Sequence, residues 1–246
     1  MTSVLITRPA DVAETLANIL ERRGYMTVIE PMLMVKPLLG NPLPDIDNLG
    51  AVMVTSGYAL LVFEQRPQEL AALYRLPCYC VGPRTAERAR RIGFQQVSFG
   101  EGDGFALAQL IANNLDRNAR LLHIAERSPN AKTRSALESV GYRVHEWPVY
   151  ETVPVSELSE RTIELLKAGK LNAAALFSPR TAQVFRALIG RYTLQACCKG
   201  VSAICLSRPI ADMLAPIAWR HLLVAAKPTE DSLVASLVET CPVTKA

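Results

Sequence analysis

Short apolar or β-branched runs alternate with segments of helical length along almost the whole chain. In the segment "ADVAETLANILERRG", Val12, Leu16 and Leu20 fall on one helical face, and Gly24 follows. Glycine readily adopts the left-handed backbone that ends many helices, so Gly24, Gly93 and Gly141 are predicted helix ends. This alternation is typical of parallel sheets with crossover helices. We therefore predict strands at residues 3–7, 26–30, 51–54, 78–81, 95–98, 120–124, 142–146, 173–177, 202–206 and 221–225.

Two proline-bearing segments, residues 29–48 and 145–157, interrupt this rhythm and are predicted to be extended linkers. The stretch between them holds five predicted strands, enough for a domain, whereas the first βαβ unit alone is too small to bury a core. We therefore predict an α/β fold of two similar domains, each a parallel sheet between two helix layers, with a cleft between them. One domain is discontinuous, residues 1–36 with 154–246, and the other is inserted at residues 39–149.

Composition narrows the class of protein. The chain has 246 residues, 50% of them hydrophobic, which is enough for two cores and excludes a disordered chain. The net charge of +4 is not gathered into a basic stripe, so we expect no nucleic-acid partner. The start "MTSVLITRPADV" does not fit a signal peptide, and no apolar run is long enough to span a bilayer. We expect a cytoplasmic monomer without a membrane partner.

Cysteine and histidine spacing does not predict a metal site. The six cysteines form no CxxC pair, and His123, His145 and His221 stand too far apart for a helical zinc motif. In a reducing compartment such cysteines behave as small buried hydrophobic residues. We therefore expect no metal site.

The sequence Pro-Arg-Thr-Ala occurs twice, in "VGPRTA" (81–86) and in "LFSPRTA" (176–182), each time where a predicted strand meets a helix. "LITRPA", "MVTSGYA", "HIAERSPN" and "ICLSRPIA" place similar residues at four more such junctions. A hydroxyl that caps a helix, a proline in the first turn and free N–H groups favour anion binding there. The carboxyl ends of parallel strands meet at one edge of a sheet, where ligands bind. Candidate anion-binding residues are therefore Thr7, Thr55, Ser56, Thr85, Thr181 and Ser207 with Arg8, Arg84, Arg127, Arg180 and Arg208.

A ligand that touches these junctions in both domains would carry several negative charges, because arginine suits carboxylate and phosphate groups. Two other interpretations stay open for any single junction. Serine, threonine and proline are ordinary helix punctuation. The arginines could also pair with surface carboxylates such as Glu87 or Glu126.

A glycine-rich stretch, "FGEGDGFA", follows a predicted strand and begins a helix. The spacing of Gly100, Gly102 and Gly104 does not fit the dinucleotide fingerprint, and the chain contains no Walker motif. We predict a flexible loop with Asp103 as a helix cap rather than a nucleotide site.

Taken in chain order, "LITRP", "VTSGYA", "CVGPRTAERARRIGF", "LLHIAERSPN", "WPVYET" and "LFSPRTAQVF" resemble the uroporphyrinogen-III synthase family over nearly the whole chain. The resemblance implies a cytosolic, cofactor-free enzyme. Such an enzyme closes the linear tetrapyrrole hydroxymethylbilane into uroporphyrinogen III, with loss of water and inversion of ring D. The acetate and propionate arms of that substrate match the predicted anion-binding junctions.

The resemblance also implies roles for individual residues. Tyr150 in "VYET" takes the place of the family's linker tyrosine and is a candidate general acid, although it could equally be an interdomain packing residue. The matching motifs assign Thr55, Ser56, Thr85 and Ser178 to substrate contact.

One motif departs from the family pattern. In "LSRPIA", Ile210 stands where many members have a threonine, so Ser207 and Arg208 are expected only to bind substrate. That departure favours a mechanism dominated by control of substrate conformation.

Other classes of protein stay open at this stage. A non-catalytic two-domain binding protein for a polyanionic small molecule would share the hinge and the anion-binding junctions. A flavodoxin-like electron carrier fits less well, because its phosphate loop is missing. Transient contact with hydroxymethylbilane synthase, which makes the unstable substrate, is plausible, but no particular stretch of the chain supports it.

Overall fold

The computed structural model describes residues 1–100 and 104–243 of the chain. The chain folds into two compact units. Unit 1 is formed by Met1–Met34 and Val153–Ala246, and unit 2 by Val35–Thr152. The predicted loop at Gly102 and Asp103 lies outside the described residues. Among the described residues, no helix is both long and apolar enough to cross a membrane.

The strands and helices alternate through most of the chain. The strands are β1 (Ser3–Ile6), β2 (Met26–Ile29), β3 (Leu33–Pro37), β4 (Leu49–Val54), β5 (Cys78–Val81), β6 (Val97–Gly100), β7 (Arg120–Glu126), β8 (Arg143–Pro154), β9 (Ala173–Leu176), β10 (Ser202–Cys205) and β11 (His221–Val224). The α-helices are α1 (Ala10–Glu21), α2 (Leu61–Gln65), α3 (Gly82–Ile92), α4 (Gly104–Asn114), α5 (Ala131–Ser139), α6 (Glu160–Lys167), α7 (Pro179–Arg191), α8 (Arg208–Leu214) and α9 (Glu230–Thr240). Short 3₁₀ turns lie at Gly57–Leu60, Ala71–Arg75 and Gln195–Gly200.

Unit 1 is built on a parallel sheet in the order β11-β10-β9-β1-β2. Its central strands are buried along their whole length, as expected for a parallel sheet covered on both faces. Helices α6, α7 and α8 cover one face, where Phe185 lies in the core, and α1 and α9 cover the other, where Leu16 and Leu20 are buried. The α1 stripe predicted from the sequence therefore faces the core.

Unit 2 is built on a sheet in the order β3-β8-β7-β4-β5-β6, and the pairs from β8 to β6 are parallel. One face packs against α2, α3 and the turn at Gly57–Leu60, with Phe63 at the centre of that core. The other face packs against α4 and α5 through Leu107, Ile111 and Leu137. Each unit is thus an α/β layer structure dominated by parallel strands, which confirms the predicted fold class.

All ten predicted strands are present, and the two segments predicted to be extended linkers overlap strands β3 and β8. Both segments form strands, because β3 lies beside β8 and the Leu38 N–H donates to the Val149 carbonyl at 2.8 Å. Proline is tolerated at a sheet edge or at a bulge, and Pro37 ends the edge strand β3 while Pro148 lies at a register shift in β8. Proline content alone therefore did not indicate non-strand structure.

The glycine stops behave as predicted in outline. Gly93 follows α3 directly with φ of 116°, the left-handed conformation that ends many helices. Gly24 and Gly141 also have positive φ, and each lies two or three residues beyond the last residue of its helix. A side chain at these positions would strain the turn.

Candidate functional site

Three of the predicted strand-to-helix junctions carry a side-chain cap. The side chains of Ser56, Asn130 and Ser178 each accept a hydrogen bond from a backbone N–H two or three residues further on, at 3.3, 3.0 and 3.1 Å. A cap satisfies one of the free N–H groups of the first turn and leaves others for water or a ligand. These junctions therefore keep the geometry that an anion-binding helix start requires.

The other junctions correct the capping prediction. No side chain caps α1, α3 or α8, and Pro9 rather than Thr7 is the residue that precedes α1. The Thr7 hydroxyl instead donates to the Ala175 carbonyl at 2.7 Å, across β1 and β9, and only 1% of Thr7 is exposed. At the "RSPN" junction the cap is Asn130, not Ser128. The Thr7 hydroxyl therefore links strands β1 and β9 and is not exposed to solvent.

Burial also separates the two threonines of the repeated motif from its arginines. Thr85 in α3 and Thr181 in α7 are both buried, whereas Arg84 and Arg180 beside them are exposed. The repeat thus places a threonine inward and an arginine outward in the first turn of each helix. Ile210 in α8 is 1% exposed and packs into the core of unit 1.

The five predicted arginines have different surroundings. Arg8 pairs with Glu230 and lies over the Phe177 ring, with 4.5 Å between the guanidinium carbon and the ring centre. Arg127 pairs with Glu151 at 3.0 Å.

The exposed arginines at the starts of α3 and α8 differ from Arg8 and Arg127 in their ion pairing. Within residues 1–100 and 104–243, neither Arg84 nor Arg208 forms a salt bridge with a carboxylate. Glu87, a surface partner considered from the sequence, binds Arg91 instead. The guanidinium groups of Arg84 and Arg208 are therefore not neutralised by a carboxylate within the described residues, which suits contact with an anionic ligand.

A shift in the pairing register between β7 and β8 determines which face of the sheet the Tyr150 side chain occupies. Ala125 of β7 pairs with Pro148, but the next residue, Glu126, pairs with Tyr150, so Val149 is the additional residue of a bulge in β8. A bulge re-aims the side chains that follow it. Val149 and Tyr150 consequently both lie in the core on the α2–α3 face of the sheet.

The Tyr150 hydroxyl shares a hydrogen bond with the Ser56 side chain. Burial raises the pKa of the Tyr150 phenol above its ordinary value, while the Ser56 hydrogen bond acts in the opposite direction and the nearby Glu126 raises it further. The ring of Tyr58 lies 6.1 Å from that of Tyr150. In unit 2, Thr55 and Ser56 follow β4, Arg127 follows β7, and Tyr150 lies within β8 beside Glu126, the last residue of β7.

The sequence reasoning missed a polar row on the opposite face of the same sheet. The Thr55 hydroxyl lies 3.1 Å from Nε2 of His123, and Nδ1 of His123 lies 3.7 Å from a carboxylate oxygen of Glu146. A histidine inside the apolar run "LLHIA" was the one available signal, and it was considered only as a metal ligand. Among the described residues, no group of three His, Cys, Asp or Glu side chains could hold a metal ion.

The two α/β units carry hydroxyl caps and outward arginines at several of their strand-to-helix junctions, features that suit a protein acting on an anionic small molecule. The family model for "Uroporphyrinogen-III synthase HemD" matches residues 14–235. The chain therefore belongs to the uroporphyrinogen-III synthase family.

Individual relatives agree with this assignment. The uroporphyrinogen-III synthase of Chlorobaculum parvum is 27% identical over 200 residues, which cover 77% of this chain and 80% of that protein. The porphyrin biosynthesis protein HemD of Ruminiclostridium josui is 24% identical over 97% of this chain, which spans only 48% of that longer protein. The crystal structure of uroporphyrinogen-III synthetase from Helicobacter pylori superposes with a TM-score of 0.64, at 16% identity, over 97% of this chain and 99% of that one. At that identity the structural likeness supports the fold alone.

Proposed function

We propose that this protein converts hydroxymethylbilane to uroporphyrinogen III, with loss of water and inversion of ring D. The observation that carries the proposal is the family match over residues 14–235, nearly the whole chain. The named synthase of Chlorobaculum parvum, which aligns over most of its own length, supports the same reaction.

In the proposed reaction, ring A first loses its hydroxyl as water and becomes an azafulvene. The substituted carbon of ring D attacks this centre, and the resulting spiro intermediate fragments and closes again with ring D turned over. Direct closure of the same azafulvene gives the type I isomer. The main task of the protein is therefore to hold the two ends of the chain so that the spiro route is faster.

We assign the protonation of the leaving hydroxyl to Tyr150. Burial keeps its phenol protonated at neutral pH, as a proton donor requires. Ser56 already accepts the Tyr58 N–H at 3.3 Å, so its own O–H is suited to donate to the phenol oxygen. Such a bond makes the phenol a stronger acid and leaves its proton for the substrate. The lowering effect of Ser56 on the Tyr150 pKa agrees with this direction.

We assign the acid arms of the substrate to the helix starts and arginines. In unit 2 the proposed contacts are Thr55, Ser56, Arg84 and Arg127, and in unit 1 they are Arg8, Ser178, Arg180, Ser207 and Arg208. Thr7, Thr85 and Thr181 are buried, so their proposed part is limited to shaping the backbone beside these contacts. Each contact contributes about 0.3–1 kcal/mol. Several together, with buried ligand surface, reach the roughly 8 kcal/mol of micromolar binding.

We further propose that the protein works in the cytoplasm as a monomer. Its six cysteines are free thiols, which suits a reducing compartment. Transient contact with hydroxymethylbilane synthase remains part of the proposal, because the bilane closes spontaneously. Size-exclusion chromatography with light scattering, with and without the synthase, tests both points.

The reaction is tested with hydroxymethylbilane generated immediately before use and with chromatographic separation of the type I and type III isomers. We expect type III product in proportion to the amount of protein added. Heat-denatured protein is the control and should give only the type I product of spontaneous closure. Type I product alone with the folded protein would refute the reaction and favour a non-catalytic binding protein.

A further inference from the structure

The turn after β3 bonds to the two residues of β8 that precede Tyr150. The Asn41 N–H closes this turn on the Leu38 carbonyl at 3.3 Å. From the same turn, the Asn41 side-chain amide donates to the Pro148 carbonyl and the Leu38 N–H donates to the Val149 carbonyl, both at 2.8 Å. One short turn therefore holds both carbonyls at the bulge in β8.

The carbonyl directions show how the bulge is formed. The Tyr150 carbonyl faces away from the turn and accepts the Arg127 N–H at 2.8 Å. In a regular strand successive residues alternate in direction, so Pro148 and Tyr150 would face the same way. Here Pro148 and Val149 face the turn together and Tyr150 faces the opposite edge. The turn thus bonds to the two carbonyls whose shared direction is caused by the bulge.

Arg66 holds this turn from the other side. It follows α2 directly, and its Nη1 donates to the Asn41 carbonyl at 2.8 Å. Its Nε donates to the Glu69 carboxylate at 2.7 Å, and Nη2 binds the second oxygen of that carboxylate. Its guanidinium carbon lies 5.6 Å from the centre of the Trp147 ring. A guanidinium bound at both ends in this way has a fixed orientation, so α2, the turn and β8 are connected through Arg66.

The placement of Tyr150 depends on where the bulge lies. Trp147 and Val149 point to the α2–α3 face, as residues two apart in a strand do, and the bulge adds Tyr150 to that face. Without the bulge, Tyr150 would point to the face that α4 and α5 cover, away from Ser56. A contact that holds the bulge therefore acts on the hydrogen bond between Tyr150 and Ser56.

We propose that Asn41 and Arg66 are positioning residues for Tyr150, because they hold the β8 bulge in the register that directs the Tyr150 hydroxyl to Ser56. Asn41 acts on the bulge directly, and Arg66 acts through the Asn41 carbonyl and the Trp147 ring. The inference rests on the proposed function only for its effect on turnover, since the placement of Tyr150 is measured without substrate.

Carbon NMR of protein labelled at tyrosine Cζ measures that placement. The chain has seven tyrosines, and the signal that is lost in Tyr150→Phe is that of Tyr150. We expect Asn41→Leu, which keeps the side-chain size but cannot donate, to move the Tyr150 signal in the same direction as Ser56→Ala, which removes the hydrogen bond directly. The Tyr25 signal, from unit 1, is the internal reference. A Tyr150 signal that does not move in Asn41→Leu overturns the proposal.

Arg66 variants provide a second measurement with a matched control. Arg66→Ala should move the Tyr150 signal in the same direction, and Arg66→Lys should move it less, because lysine can still donate to the Asn41 carbonyl. In the control Arg120→Ala, the lost bond is also one from an arginine to a backbone carbonyl, that of Asp47 at 2.9 Å, but it lies at the first residue of β7, the far end from Tyr150. Equal movement in Arg120→Ala and Arg66→Ala indicates general loosening of unit 2 and overturns the proposal. If Asn41→Leu does not fold, the Arg66→Lys signal decides the question.

Turnover of hydroxymethylbilane shows whether these residues act through Tyr150. We expect Asn41→Leu to lower kcat about tenfold and to change KM by less than about twofold, because it displaces the proton donor and removes no contact assigned to the substrate. In a Tyr150→Phe background the same substitution should have no further effect on kcat, since the donor is already absent. A full additional loss in that background overturns the proposal, and so does a loss confined to KM.

The two measurements separate this inference from the proposed reaction. A protein that forms type III product, but whose Tyr150 signal is the same in the Asn41 and Arg66 variants, overturns the inference alone. A protein whose Tyr150 signal moves as expected, but which forms only type I product, overturns the proposed reaction alone.

Discussion

The Tyr150 hydroxyl and the Ser56 side chain are hydrogen-bonded across the end of β7, the strand that lies between theirs in the sheet. Strands two positions apart in a sheet are separated by about 10 Å, so only a long side chain can bridge them. The bulge at Val149 makes this reach available, because it turns Tyr150 to the face on which Ser56 lies. The bond therefore depends on one additional residue in β8.

Tyr150→Phe removes the proposed proton donor and keeps the buried ring. We expect turnover of hydroxymethylbilane to fall about 100-fold or more, as for the loss of a general acid, with type III still the main enzymatic product. Initial rates with isomer separation measure this. Tyr142→Phe is the matched control, because its hydroxyl is also buried in unit 2 and donates to the Leu115 carbonyl at 2.6 Å. An equal loss of rate in both variants would indicate a packing role for Tyr150.

The layer structure could be predicted from the sequence because its signals are local. An apolar run indicates a single strand, and a glycine stop indicates the end of a single helix. Parallel strands that are buried on both faces contain few polar residues, so their apolar runs are easy to recognise. Strand β3 was missed because its side chains are mostly exposed and Pro37 ends it. Only its pairing with β8, a distant segment of the chain, makes it a strand.

The candidate site was predictable only in part for the same reason. The serine after β4 and the tyrosine of β8 carry motif signals, and Ser56 and Tyr150 lie together in the structure, whereas the hydroxyl of Thr55 faces His123 on the other side of the sheet. The Thr55–His123–Glu146 row depends on the register of three strands that are distant in sequence. No local spacing indicates such a row, and no local rule indicates the bulge that re-aims Tyr150.

Arg84→Ala and Arg208→Ala each remove an exposed guanidinium at a helix start that has no carboxylate partner within the described residues. We expect each to raise KM for hydroxymethylbilane about two- to fivefold, the equivalent of one exposed charge contact. The effect should shrink as salt is added, because exposed charges are screened. Arg91→Ala is the control, since Arg91 lies on the same helix as Arg84 and pairs with Glu87. A KM equally insensitive in all three variants contradicts the assignment of these arginines to the substrate.

Glu30 joins the end of β2 to the start of α6 inside unit 1. Its carboxylate accepts hydrogen bonds from the Ser159 N–H and from the Ser159 and Thr162 hydroxyls, and Thr162 is fully buried. We expect Glu30→Ala to lower the free energy of unfolding by roughly 1–3 kcal/mol, because it leaves the buried Thr162 hydroxyl without its carboxylate acceptor. Glu30→Gln, which keeps one acceptor oxygen, should cost less.

Urea unfolding followed by circular dichroism measures both Glu30 variants. Glu14→Ala on the exposed side of α1 is the control and should stay within about 0.5 kcal/mol of the unchanged protein. A cost for Glu30→Ala as small as that of the control would contradict the buried role of this carboxylate.

The cysteines should differ sharply in reactivity. Cys197 is partly exposed, whereas the other five thiols are buried, and burial raises the pKa of both Cys198 and Cys205 to about 12. Since the thiolate is the reactive form, we expect a disulfide reagent such as DTNB to modify one thiol rapidly in the folded protein and all six in denaturant. Cys197→Ser should abolish the rapid phase. Several rapidly modified thiols in the folded protein would contradict the buried positions.

Buried tyrosines should make the fold sensitive to alkaline pH. Burial raises the pKa of Tyr25, Tyr74, Tyr79, Tyr142 and Tyr150, while in the unfolded chain tyrosine ionises near pH 10. Above about pH 10 the folded state therefore holds more protons than the unfolded state, and the free energy of unfolding falls as the pH rises. The contribution of these protonated tyrosines to the free energy of unfolding is fully present below about pH 10.

Urea unfolding between about pH 9 and pH 11, with absorbance of ionised tyrosine at each step, measures this dependence. Thiols that ionise on unfolding add a similar dependence at lower pH, so the total slope does not isolate the tyrosines. The difference in slope between the unchanged protein and Tyr150→Phe does isolate one of them. We expect the variant to lose less stability per pH unit above pH 10, because it has one fewer phenol to ionise on unfolding. Equal slopes would mean that Tyr150 ionises as readily in the folded protein as in the unfolded chain, which contradicts the rise in its pKa expected from burial.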